Sequence, residues 1–341
     1  MADEDDLWFL PGPPIDEAPT DPPWRLAERH AIFEAKAWRR AEGVQGRGLA
    51  RAAAAFARLD ARASTGFAKR LAYSEASALL WAQGDWVPPD RIALYGLLRE
   101  SAVKDAQVLS RADWATRRML GAGLPDDLAG FLGRHQVEFD GFAGEGWRAE
   151  ARPTSALRAM GDMFDGVAQD WQTAREGLSD CHAITQAAGL FAAWRAFGLS
   201  APNNALEAGV AAGKIGGIDG RSLRFLPVAT GGPIGQGGAV ADRLARWYGA
   251  VENACLKAEM ELEKLEVWQG RAVEATRGLS GKTPPLLIRA LLETPALTAG
   301  MVAVATGADK ATARRNLNAF SKLGLIREIT GQGRYRVWVV A

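Results

Sequence analysis

The sequence predicts a mainly α-helical protein in which a large helical body is followed by a small basic unit that closes in a β-hairpin. Three observations carry that expectation. Most apolar residues recur at spacings of three and four, the period of a helix with one buried face. Ala and Gly are abundant, while β-branched residues are sparse before residue 326. At 341 residues and 48% hydrophobic content, the chain is long enough for two domains and can bury a sizeable core.

Residues 1–23 hold seven acids, no bases and six prolines, a composition that buries too little apolar surface to fold alone and predicts a disordered segment. From Trp24 to about Arg40, and from Leu49 to Arg70, apolar and small residues alternate with charged ones at helical spacing, predicting two or three packed helices. The stretch RLAYSEASALLWAQGDWVPPDRIALYGLLRE predicts a helix through Trp81, a turn at Gln83 and Gly84, and a new helix after Pro88 and Pro89. Further helices are expected near 125–139, 154–175 and 179–197. Between Gly213 and Gly238, nine glycines in 26 residues predict a long irregular connection. Glycine-rich backbone can cradle phosphate, but no strand precedes this one and no G-x-G-x-x-G opens a helix after it.

Residues 239–276 predict one long helix, with Leu244, Trp247, Val251, Ala254, Ala258, Leu262, Leu265 and Trp268 spaced by threes and fours. It is expected to pack on the body, with a dimerising seam or rigid stalk as the alternative. Gly278, Gly281, Pro284 and Pro285 predict a linker. The expected division is therefore a helical body over 24–280 and a C-terminal unit over 281–341.

Net charge is +1, which alone would argue against a nucleic-acid partner, yet the sum conceals an asymmetry. From Gly281 onward, Lys282, Arg289, Lys310, Arg314, Arg315, Lys322, Arg327, Arg334 and Arg336 face only Glu293, Asp309 and Glu328, giving +6 there and −5 elsewhere. Cys181 and Cys255 lie far apart with no C-x-x-C, and His30, His135 and His182 are scattered, so no disulfide framework, zinc site, other metal, cofactor or catalytic triad is expected. No apolar run reaches the ~18 to 20 residues of a membrane span, and the acidic, proline-rich start is unlike a secretory signal. A cytoplasmic protein without a membrane partner is expected. SGKT at Ser280 to Thr283 ends like a P-loop, but Thr276 stands where its first glycine belongs and two prolines follow, so that reading is rejected.

In the C-terminal unit the order is a helix over Pro284 to Leu292, a second from Thr298 to about Thr306, a turn at Gly307 and Ala308, and a third from Asp309 to about Lys322. Thr298 and Asp309 suit N-caps. Ala313, Leu317 and Phe320 fall at i, i+4 and i+7 and form one buried face. Lys310, Ala311, Thr312, Arg314, Arg315, Asn318 and Lys322 are then candidate DNA contacts, with Thr312 and Asn318 the best placed for base edges and the cations for phosphate. LIREITGQGRYRVWVV predicts two strands around Gly331-Gln332-Gly333, a hairpin presenting Gln332, Arg334 and Arg336. Helix, turn, helix and hairpin is the layout of a winged helix-turn-helix, whose last helix enters the major groove of double-stranded DNA.

The run TGADKATARRNLNAFSKLGLIREITGQGRYRVWVV resembles the C-terminal helix-turn-helix of many Fic-family proteins. It agrees at Gly307, Thr312, Ala313, Arg315, Leu317, Leu323, Gly324, Leu325, Ile326, Glu328, Thr330, Gly331, Arg334, Arg336 and Trp338, with Phe320 replacing a leucine. AYSEASALLWAQGDWVPPDRIAL is more weakly similar to the N-terminal region of such proteins, with Gln83 where the family has Glu. The arrangement also resembles uncharacterised bacterial proteins, often plasmid-borne, that join a helical domain of unknown function to this helix-turn-helix. The catalytic string H-P-F-x-x-G-N-G-R of the Fic family is absent, and His182 is followed only by AITQAAGL. The resemblance therefore implies a degenerate Fic-like body without that catalysis.

These features predict a DNA-binding transcriptional regulator, possible as a homodimer through the body or the long helix, and not an enzyme. The alternative is a nucleotide-responsive or transferase-like relative whose tail is a regulatory or partner-docking module. A pure scaffold is the third reading.

Overall fold

A computed structural model describes residues 33–98, 103–133, 162–201, 204–235, 237–331 and 336–341. The acidic segment 1–23 and the start of the helix expected from Trp24 lie outside them. Thirteen α-helices and one small sheet occupy the described residues, so the protein is mainly α.

The body opens with α1 (Ala35–Val44) and α2 (Gly46–Arg62), which pack side by side on the long helix. The helical run expected through Arg70 is interrupted at Ala63, because the Ser64 hydroxyl accepts from Phe67 N and caps a new helix, α3 (Thr65–Trp81). The turn at Gln83 and Gly84 follows, Gly84 taking φ +92, and α4 (Pro89–Leu98) starts on proline as expected. Helix α5 (Val103–Leu120) was not anticipated. Its signal was present in Leu109, Ala112, Ala115 and Met119, all buried at helical spacing, but polar residues outnumber them.

The short α6 (Leu128–Leu132) covers part of the helix expected over 125–139, and the remainder from 134 lies outside the described residues. Helix α7 (Asp162–Gly177) and α8 (Ala183–Ala196) meet the next two expectations, with 154–161 outside the described residues. The reading of Gly213 as the start of an irregular loop is corrected: α9 (Leu206–Gly216) is helical through those glycines. They are there for close approach. A Cβ on Gly216 would stand 2.6 Å from Leu226 Cδ2.

After α9 the described residues are irregular to 239 apart from one 3-10 turn at Ala229–Gly231. Two buried carboxylates clamp this connection. Asp60 accepts from Arg221 N (2.9 Å), Ser222 N (2.9 Å) and Leu223 N (2.7 Å). Glu75 accepts from Val228 N (2.8 Å), Ala229 N (2.6 Å), Thr230 N (3.1 Å) and Thr230 Oγ1 (3.0 Å). Leu223, Phe225, Leu226 and Val228 then enter the core. The amides that a phosphate might have used at these positions are already held by internal acceptors, so this stretch is a packed segment of the body.

The long helix appears as α10 (Val240–Ala275), 36 residues against the 239–276 expected. It serves two cores. Leu244, Trp247, Val251, Ala254, Ala258 and Leu262 are buried on the body side, while Trp268 and Ala272 belong to the apolar cluster of the C-terminal unit. Trp268 Nε1 also donates to Leu325 O at 2.7 Å. The last turns of α10 are thus built into the unit that follows the connection 276–282; Pro284 and Pro285, expected in that linker, instead lie in the first turn of the helix that opens at Thr283, where proline costs no hydrogen bond.

That unit comprises α11 (Thr283–Glu293), β1 (Ala296–Thr298), α12 (Ala299–Thr306), α13 (Lys310–Lys322), β2 (Ile326–Glu328) and β3 (Val337–Val340). Strand β1 was not anticipated; at three residues it is too short to show alternation. It completes an antiparallel sheet of order β1-β3-β2, pairing Leu297 with Trp338, while Glu328 pairs with Trp338 from the other side. One face of the sheet joins the core of Leu287, Leu291, Val302, Ala313, Leu317 and Phe320. The other face, through Ala296, Val337 and Val339, packs on Ala93 of α4.

The unit is docked firmly on the body. Arg70 of α3 donates through Nη2 to Leu291 O (2.5 Å) at the C-terminal end of α11, and burial lowers its guanidinium to about 10. Arg327 of β2 pairs with Asp90 of α4 at 3.0 Å. Gly66 lets α3 and α11 touch backbone to backbone, since a Cβ there would lie 2.2 Å from Leu292 O and 2.5 Å from Glu293 Cα. Gly66→Ala is therefore expected to push the unit off the body at a cost of about 1–3 kcal/mol. Limited proteolysis would show this as faster cleavage in residues 276–283, with the cores on either side still resistant.

Candidate nucleic-acid interface

The body covers α11 and the outer face of the sheet, and α13 lies away from it, packing within its own unit against α11, α12 and β2. Why α13 starts where it does is local chemistry. Gly307 adopts the left-handed conformation (φ 64, ψ 21) that ends α12. Asp309 then caps α13, its Oδ1 accepting from Thr312 N at 2.8 Å and its Oδ2 from Thr312 Oγ1 at 2.8 Å. Thr298 caps α12 in the same way, accepting from Met301 N at 3.2 Å.

The side of α13 toward the core is fixed by Ala313, Leu317 and Phe320, all fully buried. The opposite side carries an open concavity lined by Ala311, Arg314, Arg315, Asn318, Ala319 and Lys322. Lys310 is exposed at its N-terminal edge. Among the described residues no carboxylate lies within ion-pairing distance of Lys310, Arg314 or Lys322. Ala319 was not singled out from sequence. Its signal was its position eight residues after Ala311, two helical turns along the same stripe.

Two expected contacts are placed differently. Thr312 is half-buried and its hydroxyl is engaged twice, donating to Asp309 and accepting from Arg315 Nη2 at 3.0 Å, so it organises the first turn of α13. Asn318 is exposed with its amide uncommitted, leaving it the polar uncharged group on the open face. In the hairpin, Gln332 and Arg334 lie outside the described residues. Arg336 is exposed but braced: its Nε donates to Glu328 Oε2 at 3.0 Å and its guanidinium sits 5.3 Å from the Trp338 ring centre. Glu328 also accepts from Gly331 N at 2.9 Å and from the Thr330 hydroxyl; the Thr330 bond and the Arg336 cation hold its carboxyl below the usual range.

The Asp309 carboxyl is likewise lowered, by the bonds from Thr312 N and the Thr312 hydroxyl. A depressed folded-state value means the cap contributes fully above the unfolded value and is lost as pH falls through the folded one. Amide protection at residues 311–313 is therefore expected to hold at about pH 6 and to fall below about pH 4. Asp309→Asn, a neutral cap, should show no such fall in hydrogen exchange.

Other sequence candidates resolve into structural roles. His182 caps α8, its Nδ1 accepting from Ile184 N at 3.1 Å. Cys181 and Cys255 are free and buried, their thiols pushed up to about 11 and about 12, chiefly by burial. The Lys214 ammonium, lowered by burial to about 8, donates to Gly121 O at 2.6 Å beyond the end of α5. Among the described residues no helix is long and apolar enough to cross a membrane.

Residues 284–341 match a family described as an HTH DNA binding domain. The match begins at the second residue of α11 and runs through β3, so it takes in the helix pair, the cap at Asp309 and the hairpin, and leaves the body outside. No curated protein is similar enough to the chain to match it.

Proposed function

We propose that the protein is a transcriptional regulator that binds double-stranded DNA with α13 in the major groove. The observation that carries this reading is the open face of α13, where Lys310, Arg314, Arg315 and Lys322 border Asn318 and, among the described residues, no carboxylate lies within ion-pairing distance of Lys310, Arg314 or Lys322. Cations bordering an amide suit phosphate positioning around base-edge readout. Asn318 bonds an adenine edge or an equivalent acceptor-donor pair, and Arg314 reaches a guanine or a phosphate. Thr312 and Arg336 act one step back, holding the first turn of α13 and the base of the hairpin. Gln332 and Arg334 extend the contact along the backbone.

The body serves as a platform and not as an enzyme. A degenerate Fic-like body without that catalysis fits this reading: no Fic catalytic string follows His182, whose Nδ1 instead caps α8. The protein works in the cytoplasm as a regulator that needs no cofactor. Selection from a random duplex pool tests the reading: a recurrent motif is expected, bound with steep salt dependence. Recovery of unrelated sequences with no enrichment would overturn it.

A further inference from the structure

The charge of the chain is divided three ways. Residues 281–341 carry +6, residues 1–23 carry −7 without a single base, and residues 24–280 carry only +2. The acidic stretch thus matches the basic unit in size, and its first residues are ordered: Asp3, Glu4, Asp5 and Asp6 run directly into Leu7, Trp8, Phe9 and Leu10. The open face of α13 has the complementary make-up. Lys310, Arg314, Arg315 and Lys322 border a concavity of about 580 Å³, ligand-sized, whose apolar lining is Ala311 and Ala319. Leu323, 44% exposed, follows one turn after Ala319.

We propose that residues 3–10 dock on this face of α13 in the same molecule and compete there with DNA. The proposal rests on the DNA-binding reading of α13. The acids pair with the cations that otherwise hold phosphates. Acids alone would make a weak contact that salt screens. Trp8 and Phe9 add burial against Ala311 and Ala319, with arginine guanidinium groups over their rings.

The length of chain between the segment and its attachment permits this contact. Phe33 stacks on Trp38 at 6.1 Å, and Arg243 of α10 lies 5.1 Å over the Trp38 ring. Arg243 precedes Trp268, where the C-terminal unit is rooted, by 25 residues, about 38 Å along α10. Residues 24–32 alone reach about 30 Å even when extended, short of the unit. Residues 11–32 reach about 73 Å extended, and about 56 Å if 24–32 form the helix their spacing predicts. Such a tether holds the segment at an effective concentration on the order of millimolar. Because the segment must leave before any duplex binds, it lowers affinity for specific and non-specific DNA by one common factor.

The test uses full-length protein and a carbodiimide, which joins a carboxylate to a lysine amine as an amide while the reagent takes up the water released. Links from residues 3–6 to Lys310 and Lys322 are expected in the product of single-chain mass, and excess duplex should suppress them. Trp8→Ala with Phe9→Ala, which leaves the charge unchanged, should abolish these links and raise affinity for a random duplex about fivefold at low salt. Asp3→Asn, Glu4→Gln, Asp5→Asn and Asp6→Asn together should raise it about tenfold, a gain that fades as salt increases. Both gains should be the same factor on a selected duplex. No links, links only to lysines elsewhere such as Lys36, links only in products of doubled mass, or unchanged DNA affinity in the Trp8→Ala, Phe9→Ala protein would overturn the proposal. The expected links in a protein that binds no duplex would support the contact and sink the DNA reading instead.

Discussion

Arg314→Ala combined with Arg315→Ala is expected to lower affinity for a selected duplex by roughly 100-fold and to flatten its logarithmic salt dependence by about 2. Each arginine that meets a phosphate or a base edge contributes about 1–3 kcal/mol, and each released counterion about one unit of slope. Folding should be almost untouched. Both side chains are exposed, and the hydrogen bond of Arg315 to Thr312 is the sole internal bond that either makes among the described residues. Arg289→Ala is the matched control, since that arginine is equally exposed but sits on α11 paired with Glu293 at 2.8 Å, away from the concavity. Its loss should leave DNA binding unchanged. Titration of labelled duplex at three or four salt concentrations separates the cases. A loss per cation removed that is as large for Arg289→Ala, which removes one, as for the double variant, which removes two, would mean that net charge, and not the face of α13, governs binding.

Glu75→Ala is expected to be the most damaging single substitution in the body, at about 3–5 kcal/mol. It would strand the N–H groups of residues 228–230 in the core, each costing about 1–3 kcal/mol when left without an acceptor, with partial relief from rearrangement of the connection. Val228 and Phe225, which the clamp holds against α3 and α9, would lose packing as well. Burial raises the Glu75 carboxyl above its ordinary range in spite of the four bonds that favour its charged form. A raised folded-state value contributes stability that is present below the unfolded value and is lost as pH rises through the folded one. Glu75→Gln cannot ionise, so its stability should decline less than that of the wild type as pH rises from about 4. Chemical denaturation of the three proteins across pH would show both effects. A Glu75→Ala protein within about 1 kcal/mol of wild type would mean that the connection is held by its apolar contacts alone.

Helices α2, α10 and α13 could be read from spacing because each alternates a buried stripe with charge, whereas the start of α3 at the Ser64 cap was hidden inside one continuous helical run. The misses have a common cause. Helix α9 is buried on every side, and Gly209, Gly213 and Gly216 look like loop residues until Leu79 and Leu226 are seen pressed against them. Strand β1 exists because β3 offers it an edge, a fact that three residues cannot advertise. For the interface, the apolar triplet Ala313, Leu317 and Phe320 oriented α13 from sequence alone. Which polar groups remain free could not be read that way. Thr312 and Arg336 have the right chemistry for DNA, and only their short contacts to Asp309, Arg315 and Glu328 show that they support the surface from within.

The proposed DNA binding depends on entry of the open face of α13 into the major groove. Dimethyl sulfate footprinting on a selected duplex addresses it directly, because the reagent methylates guanine N7 in that groove. The wild-type protein should protect guanines in the motif, and the Arg314→Ala, Arg315→Ala protein should leave them reactive even at concentrations that restore occupancy. Tight binding by the wild type with guanine N7 fully reactive throughout the motif would contradict the account.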